Sequence, residues 1–223
     1  MAKKLALLVL ASACMLTLPA RADTILSSNA GLNDGTLSAN VAVAPAGSTP
    51  STGPASIVDI AGSPNGAWDT LPGGDWISVA NSGSGPVVEP NGFATIFTDT
   101  FFLSAAPTAA SLYVLADDTT SVVVNGTTIW NATAGPFPTC SSSEIGCLAT
   151  TEGIFIDGAL LANLVQGTNT ISFEAYQDNG SSYGLDFAGA VATPEPNALL
   201  MTGLGLGALI LLGGSRRRRF MVS

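Results

Sequence analysis

All sixteen acidic residues of this chain lie between Asp23 and Glu195, a stretch with no Lys, Arg or His and a formal charge of −16. Carboxylate and amide oxygens on turns are the ligand type that Ca²⁺ prefers. Asp117, Asp118 and Asp178 are therefore candidate Ca²⁺ ligands, with Asp178-Asn179-Gly180 and Asn33-Asp34-Gly35 as turn-like runs. Their spacing matches no EF-hand loop, and Asp and Asn in turns also simply bend or cap the backbone.

The missing residue types exclude more than the acids promise. A Ser-His-Asp or Cys-His arrangement has no base, and a phosphate-binding loop has no cation. Paired carboxylates can hydrolyse glycosides, but no signature singles out a pair here. A non-enzymatic role is expected. Nucleic acid is excluded as a partner because nothing neutralises its phosphates. Neutral polysaccharide remains compatible. Trp68, Trp76, Trp130, Tyr176 and Tyr183 are aromatic residues of the kind that stack on sugar faces. Trp76 and Trp130 sit in strand-like runs and are expected in the core, whereas Tyr183, beside "DNGSS", is the candidate exposed ligand-binding aromatic.

Both ends carry sorting signals. Lys3 and Lys4, the apolar stretch Leu5 to Leu18, and the small residues Ala20 and Ala22 form a signal peptide, residues 1–22, cut by signal peptidase after Ala22. In the oxidising compartment this implies, Cys140 and Cys147 of "CSSSEIGC" are expected to form a disulfide. Closing so short a loop is worth about 2.5 kcal/mol in the chain-entropy model. At the other end, residues 197–215 are uncharged and as a helix would span about 28 Å, close to a bilayer core. Arg216, Arg217, Arg218 and Arg219 follow as a cytoplasmic stop. Pro194 and Pro196 keep Glu195 extended just outside the membrane.

Pro-Glu-Pro, apolar helix and Arg cluster, in that order over residues 193–223, resemble the PEP-CTERM sorting signal of Gram-negative bacteria. The resemblance implies an exosortase-like processing enzyme as partner and delivery to the cell surface or extracellular matrix after transient membrane anchoring. In that setting the sequons at Asn125, Asn131 and Asn179 read as turn chemistry.

The elements between these signals are short. Residues 23–56 contain one strand-like alternation, "TLSANVAVA", in a segment rich in Gly, Ala, Ser and Pro. Over 57–192, "DWISVA", "FATIFTDTFFL", "SLYVLA", "SVVV", "TIW", "TISFEAY" and "YGLDFAGAVA" read as strands. Asn125-Gly126 marks a hairpin, and Leu160 to Val165 a turn or two of helix. The expected fold is all-β, an antiparallel β-sandwich. Ala116-Asp117-Asp118, the Asn-Gly hairpin and Leu164-x-x-Gly167-x-Asn169-x-Ile171 resemble jelly-roll domains of the galactose-binding-like superfamily, over roughly residues 75 to 192. That resemblance implies a jelly-roll-like sandwich and, as an alternative to a purely structural matrix protein, a carbohydrate-binding module or lectin-like adhesin.

Overall fold

The computed structural model describes residues 21–28, 37–47, 53–57, 68–80, 87–132, 154–178, 180 and 182–194. Most described residues belong to a compact unit spanning Asp23–Thr193. Outside them lie Ala20, Asn33 to Gly35, Cys140, Cys147, Asn179, Glu195, Pro196, the apolar segment 197–215 and Arg216 to Arg219. Among the described residues no helix is long and apolar enough to cross a membrane.

Among the described residues twelve strands join in one sheet, and the long ladders are antiparallel. The amino-terminal part supplies β1 (Arg21–Ser27), β2 (Leu37–Pro45), β3 (Pro54–Ile57), β4 (Ile77–Ser78) and β5 (Val87–Val88). The middle of the chain supplies β6 (Ala94–Leu103), β7 (Ala109–Asp117), β8 (Thr119–Val124) and β9 (Thr127–Trp130). The carboxyl-terminal part is β10 (Ile154–Ile156), the short helix α1 (Gly158–Asn163), β11 (Gly167–Tyr176) and β12 (Ser182–Pro194). The pairing path runs β10-β7-β12-β4-β3-β2-β6-β11-β8-β9, with β1 and β5 joining β12.

The path curls on itself. Phe173 of β11 stacks on Phe187 of β12 with ring centroids 4.5 Å apart, although several strands separate them along the sheet. Both rings are fully buried, as are Phe97, Leu112, Val114, Val122 and Ile171. On β11 the alternation is regular, with Ile171, Phe173 and Ala175 inward and Thr170, Ser172 and Glu174 on the other face. Such period-two patterning fixes the register, because a slip of one residue would turn the apolar set outward.

Asn125 (φ 49°) and Gly126 (φ 83°) make the β8–β9 hairpin, as their tolerance of positive φ requires. The Asn125 side chain also ties the hairpin to β11. Its Nδ2 donates to Asn169 Oδ1 at 2.9 Å, and its Oδ1 accepts from Thr170 N at 2.9 Å. The fully buried Asn169 accepts in turn from Val165 N and donates to Val165 O. The Leu-x-x-Gly-x-Asn-x-Ile run is thus a structural staple.

Several elements differ from sequence expectation. "DWISVA" yields only the two residues of β4, and α1 starts two residues early because Asp157 caps Gly158 N. β3 lies within the Pro-rich stretch, with Pro54 as its first residue, where the absent N–H costs no ladder bond. β3, β5 and β10 are short strands made by pairing with longer neighbours. β1 begins at Arg21, so cleavage after Ala22 would trim its first two residues.

Candidate functional site

Outward-facing positions of β7 are Ser111, Tyr113, Leu115 and Asp117, alternating with the buried Leu112, Val114 and Ala116. Opposite them in register on β12 stand Ala190, Ala188, Asp186 and Gly184. One half of this face is covered and the other open. Leu115, Asp117 and Asp186 are fully buried even though they point away from the core, whereas Tyr113 is 47 % exposed.

The cover is the segment Trp68–Trp76. Its two tryptophans stack at 4.0 Å, both nearly buried, and lie against Gly184. A Cβ at Gly184 would come within 3.0 Å of Trp68 and 3.1 Å of Trp76, so a side chain there would push the rings away. Trp68 Nε1 donates to Asp117 Oδ2 at 2.6 Å, and Trp76 Nε1 donates to Asp69 O at 2.6 Å. Leu71 N donates to Asp186 Oδ2 at 3.0 Å, and Ser28 Oγ donates to Asp186 Oδ1 at 3.0 Å. Ser28 Oγ also accepts from Asp75 N, and Ser27 Oγ donates to Gly73 O at 2.7 Å.

These buried carboxyls titrate abnormally. Burial pushes Asp186 up to about 7, against the lowering effect of the Leu71 and Ser28 bonds and with a smaller push from Asp75 and Asp69. Asp117 is also raised, first by burial, with Asp118 adding repulsion and the Trp68 bond opposing it. Among the described residues nothing donates a hydrogen bond to the buried Asp117 Oδ1. Charge-free carboxyls are cheaper to bury than ions, which is why the shift runs upward.

Where the covering segment ends, a cleft of about 270 Å³ opens. Leu71 and Pro72 form one wall and Tyr113 the other, over a floor of Ser111, Ala188, Gly189 and Ala190. Phe155 of β10 is Tyr113's register partner, 49 % exposed, with ring centroids 4.7 Å apart. An exposed pair of aromatic rings beside a small-residue floor offers apolar faces for C–H groups. The Tyr113 and Ser111 hydroxyls add polar atoms. The size is near the lower end for ligand clefts (~300 Å³), on the order of one or two sugar rings.

Tyr183 is not the exposed aromatic expected from its neighbours in sequence. It is fully buried on β12, its hydroxyl donating to Ala175 O at 2.9 Å and accepting from Thr95 N at 3.1 Å. Burial raises its phenol well above the ordinary range. The flanking polar run misled because a tyrosine can send its ring inward while its hydroxyl finds backbone partners. Trp76 is in the core region as expected, whereas Trp130 is only half-buried.

Asp117, Asp118 and Asp178 do come into one neighbourhood. Asp178 N donates to Asp118 Oδ2 at 2.6 Å, and burial together with the Asp118 charge raises Asp178. Among the described residues, however, no group of three or more His, Cys, Asp or Glu side chains is arranged to hold a metal ion. Asp117 serves Trp68 and Asp118 serves the Asp178 backbone.

Sequence reasoning missed Tyr113, Phe155, Leu71, Pro72 and Asp186. Two signals were there to find: an aromatic residue on the outward phase of "SLYVLA", and an Asp on the outward phase of "GLDFAG". The covering segment carries no periodic signal.

No protein-family model and no curated protein sequence matches the chain. Among solved structures it is similar to a family 35 carbohydrate-binding module from Clostridium thermocellum, at 12 % identity and a TM-score of 0.38, over 76 % of this chain and 97 % of that one. A family 35 module from Cellvibrio japonicus Abf62 gives 14 % identity and a TM-score of 0.26, over 70 % and 98 % of the two chains. A third, from an environmental isolate, gives 15 % identity and a TM-score of 0.28, over 51 % and 76 %. Overlaps this low do not carry those modules' ligands over to this chain.

Proposed function

We propose that this chain is an exported, non-enzymatic module that binds neutral polysaccharide in the cleft between Tyr113 and Leu71–Pro72. The observation that carries the reading is the Tyr113–Phe155 pair, two adjacent exposed rings of which Tyr113 lines that cleft. Aromatic rings held rigidly on strands bind with little entropy loss. The absence of any cation between Asp23 and Glu195 favours uncharged sugars over uronic acids or sulfated polymers. The curled antiparallel sheet agrees with a jelly-roll-like sandwich as scaffold.

Affinity electrophoresis tests it, using gels that contain linear β-glucomannan, branched galactomannan, mixed-linkage β-glucan or xyloglucan. The native protein is retarded by at least one of them, and Tyr113→Ala weakens that retardation at least tenfold, or about 1.4 kcal/mol. Equal retardation of native protein and variant would exclude the cleft.

Delivery by the two terminal signals belongs to the same proposal. It is supported by the compact unit running from Asp23 to Thr193, between the expected cleavage site and Pro194-Glu195-Pro196. Replacing those three residues with alanine leaves the protein unprocessed in the inner membrane. Normal maturation of the triple variant would remove the sorting role.

A further inference from the structure

The segment Trp68–Trp76 crosses the outer face of β7 and β12 without a helix or strand until Trp76, and other elements fix its course. Trp68 is held by Asp117, and the two tryptophans by each other. The middle, which brings Leu71 and Pro72 to the cleft, is held by Ser27 Oγ on Gly73 O and, at Leu71 itself, by Asp186. Asp186 receives the Leu71 N–H on one oxygen and the Ser28 hydroxyl on the other. That same hydroxyl holds Asp75 N at 3.0 Å, so a single carboxyl orders both sides of the bend. The chain passes so close over Asp186 that a Cβ on Gly74 would overlap its Oδ1 and reach 3.0 Å from Phe187 O. Being fully buried, Asp186 touches no ligand.

We infer that Asp186 is a positioning residue that fixes the Leu71–Pro72 wall against Tyr113, so that the cleft accepts unbranched neutral glycans and rejects chains branched at the bound unit. This rests on the carbohydrate reading above and adds the shape of the ligand. The physical reason is the wall's rigidity. Pro72 has a fixed φ, and Leu71 is 4 % exposed and tethered through its N–H, so a branch pointing at them meets atoms that cannot yield.

The experiment uses the full chain in a non-glycosidic detergent and reads two quantities. One is the retardation ratio within each linear and branched pair, β-glucomannan against galactomannan and mixed-linkage β-glucan against xyloglucan. The other is nitration of Tyr113 by tetranitromethane, followed by mass spectrometry. The native protein favours the linear member at least fivefold. Asp186→Ala brings the ratio towards one and speeds Tyr113 nitration about threefold, while buried Tyr183 stays unreactive, which separates a local release of the wall from general unfolding. Asp186→Asn keeps both readings within twofold of native, since its amide oxygen still accepts from Leu71. Exposed Pro72→Gly lowers the ratio by itself and serves if Asp186→Ala does not fold. A folded Asp186→Ala with native ratio and native nitration overturns the inference, as does an unchanged ratio in Pro72→Gly. If the native protein is retarded by none of the four polymers, the carbohydrate reading falls and the selectivity claim with it. Tyr113 nitration then still decides whether Asp186 anchors the wall.

Discussion

β6 and β11 run together for ten register pairs, and β7 and β12 for nine. Their inner faces meet at the Phe173–Phe187 stack, and that of β6–β11 also buries Thr95, Asp99 and Asn169. Their outer faces diverge. On β6–β11 the outward positions include Thr98, Thr100, Thr168, Thr170 and Ser172, with Thr98 and Ser172 hydroxyls 3.2 Å apart. On β7–β12 the same phase carries Leu115, Asp117 and Asp186 beneath a covering segment, then Tyr113 in the open. Two ladders of similar construction thus differ in what a non-local piece of chain lays over them. The one that is partly covered carries two buried carboxyls on its outer face and a cleft edge, whereas the buried carboxyl of β6, Asp99, lies on the inward phase with Phe97.

The largest expected effect removes what the two ladders share. Phe173→Ala deletes a fully buried ring stacked on Phe187 and should cost about 3–5 kcal/mol in denaturant unfolding. A loss under about 1 kcal/mol would mean that the halves do not share one core.

The next contrast sets one outer face against the other. Asp186→Ala leaves the Leu71 N–H and Ser28 hydroxyl short of an acceptor and should cost about 1–3 kcal/mol. Exposed Thr100→Ala on β6 should stay within about 0.5 kcal/mol of native. Similar costs at both sites would erase the distinction drawn between the faces.

Titration sharpens the same contrast. The Asp186 carboxyl is raised from its ordinary 3.8 to about 7 by burial, with Asp75 and Asp69 of the covering segment adding repulsion. A group raised on folding contributes stability that is full below the ordinary value. That contribution is lost as pH rises through the folded value, since the unfolded chain ionises first. Melting temperature should therefore fall between pH 4 and pH 8, and Asp186→Asn should flatten part of that fall. A profile that climbs over this range, or one identical in Asp186→Asn, contradicts the assignment.

Charge repulsion gives the smallest expected effect. With no cation between Asp23 and Glu195, raising NaCl from about 10 to 150 mM shortens the screening length from roughly 30 to 8 Å and should raise the melting temperature modestly. A melting temperature indifferent to NaCl would show the carboxylates too dispersed to repel.

The long strands were legible because their patterning is local. "TISFEAY" and "SVVV" state their own phase, and Asn125-Gly126 states its turn. β5 and β10 were not, since two or three residues hold no period and only a partner strand makes them, while "DWISVA" gave β4 but overstated its length. The site was less legible still. Tyr183 is buried by the inward phase of β12, whereas what covers the outer face beside Tyr113 is set by a segment whose hold on Asp186 joins residues 115 apart in sequence. An Asp in a strand run signals an outward position. Nothing local says that the position will be buried.

The central claim is tested most directly by affinity electrophoresis of native protein, Tyr113→Ala and Phe155→Ala in the four neutral polysaccharides. The account predicts retardation of the native protein by at least one polymer, with loss of tenfold or more in Tyr113→Ala and a smaller loss in Phe155→Ala. Native mobility in every gel, or retardation unaffected by either substitution, would contradict it.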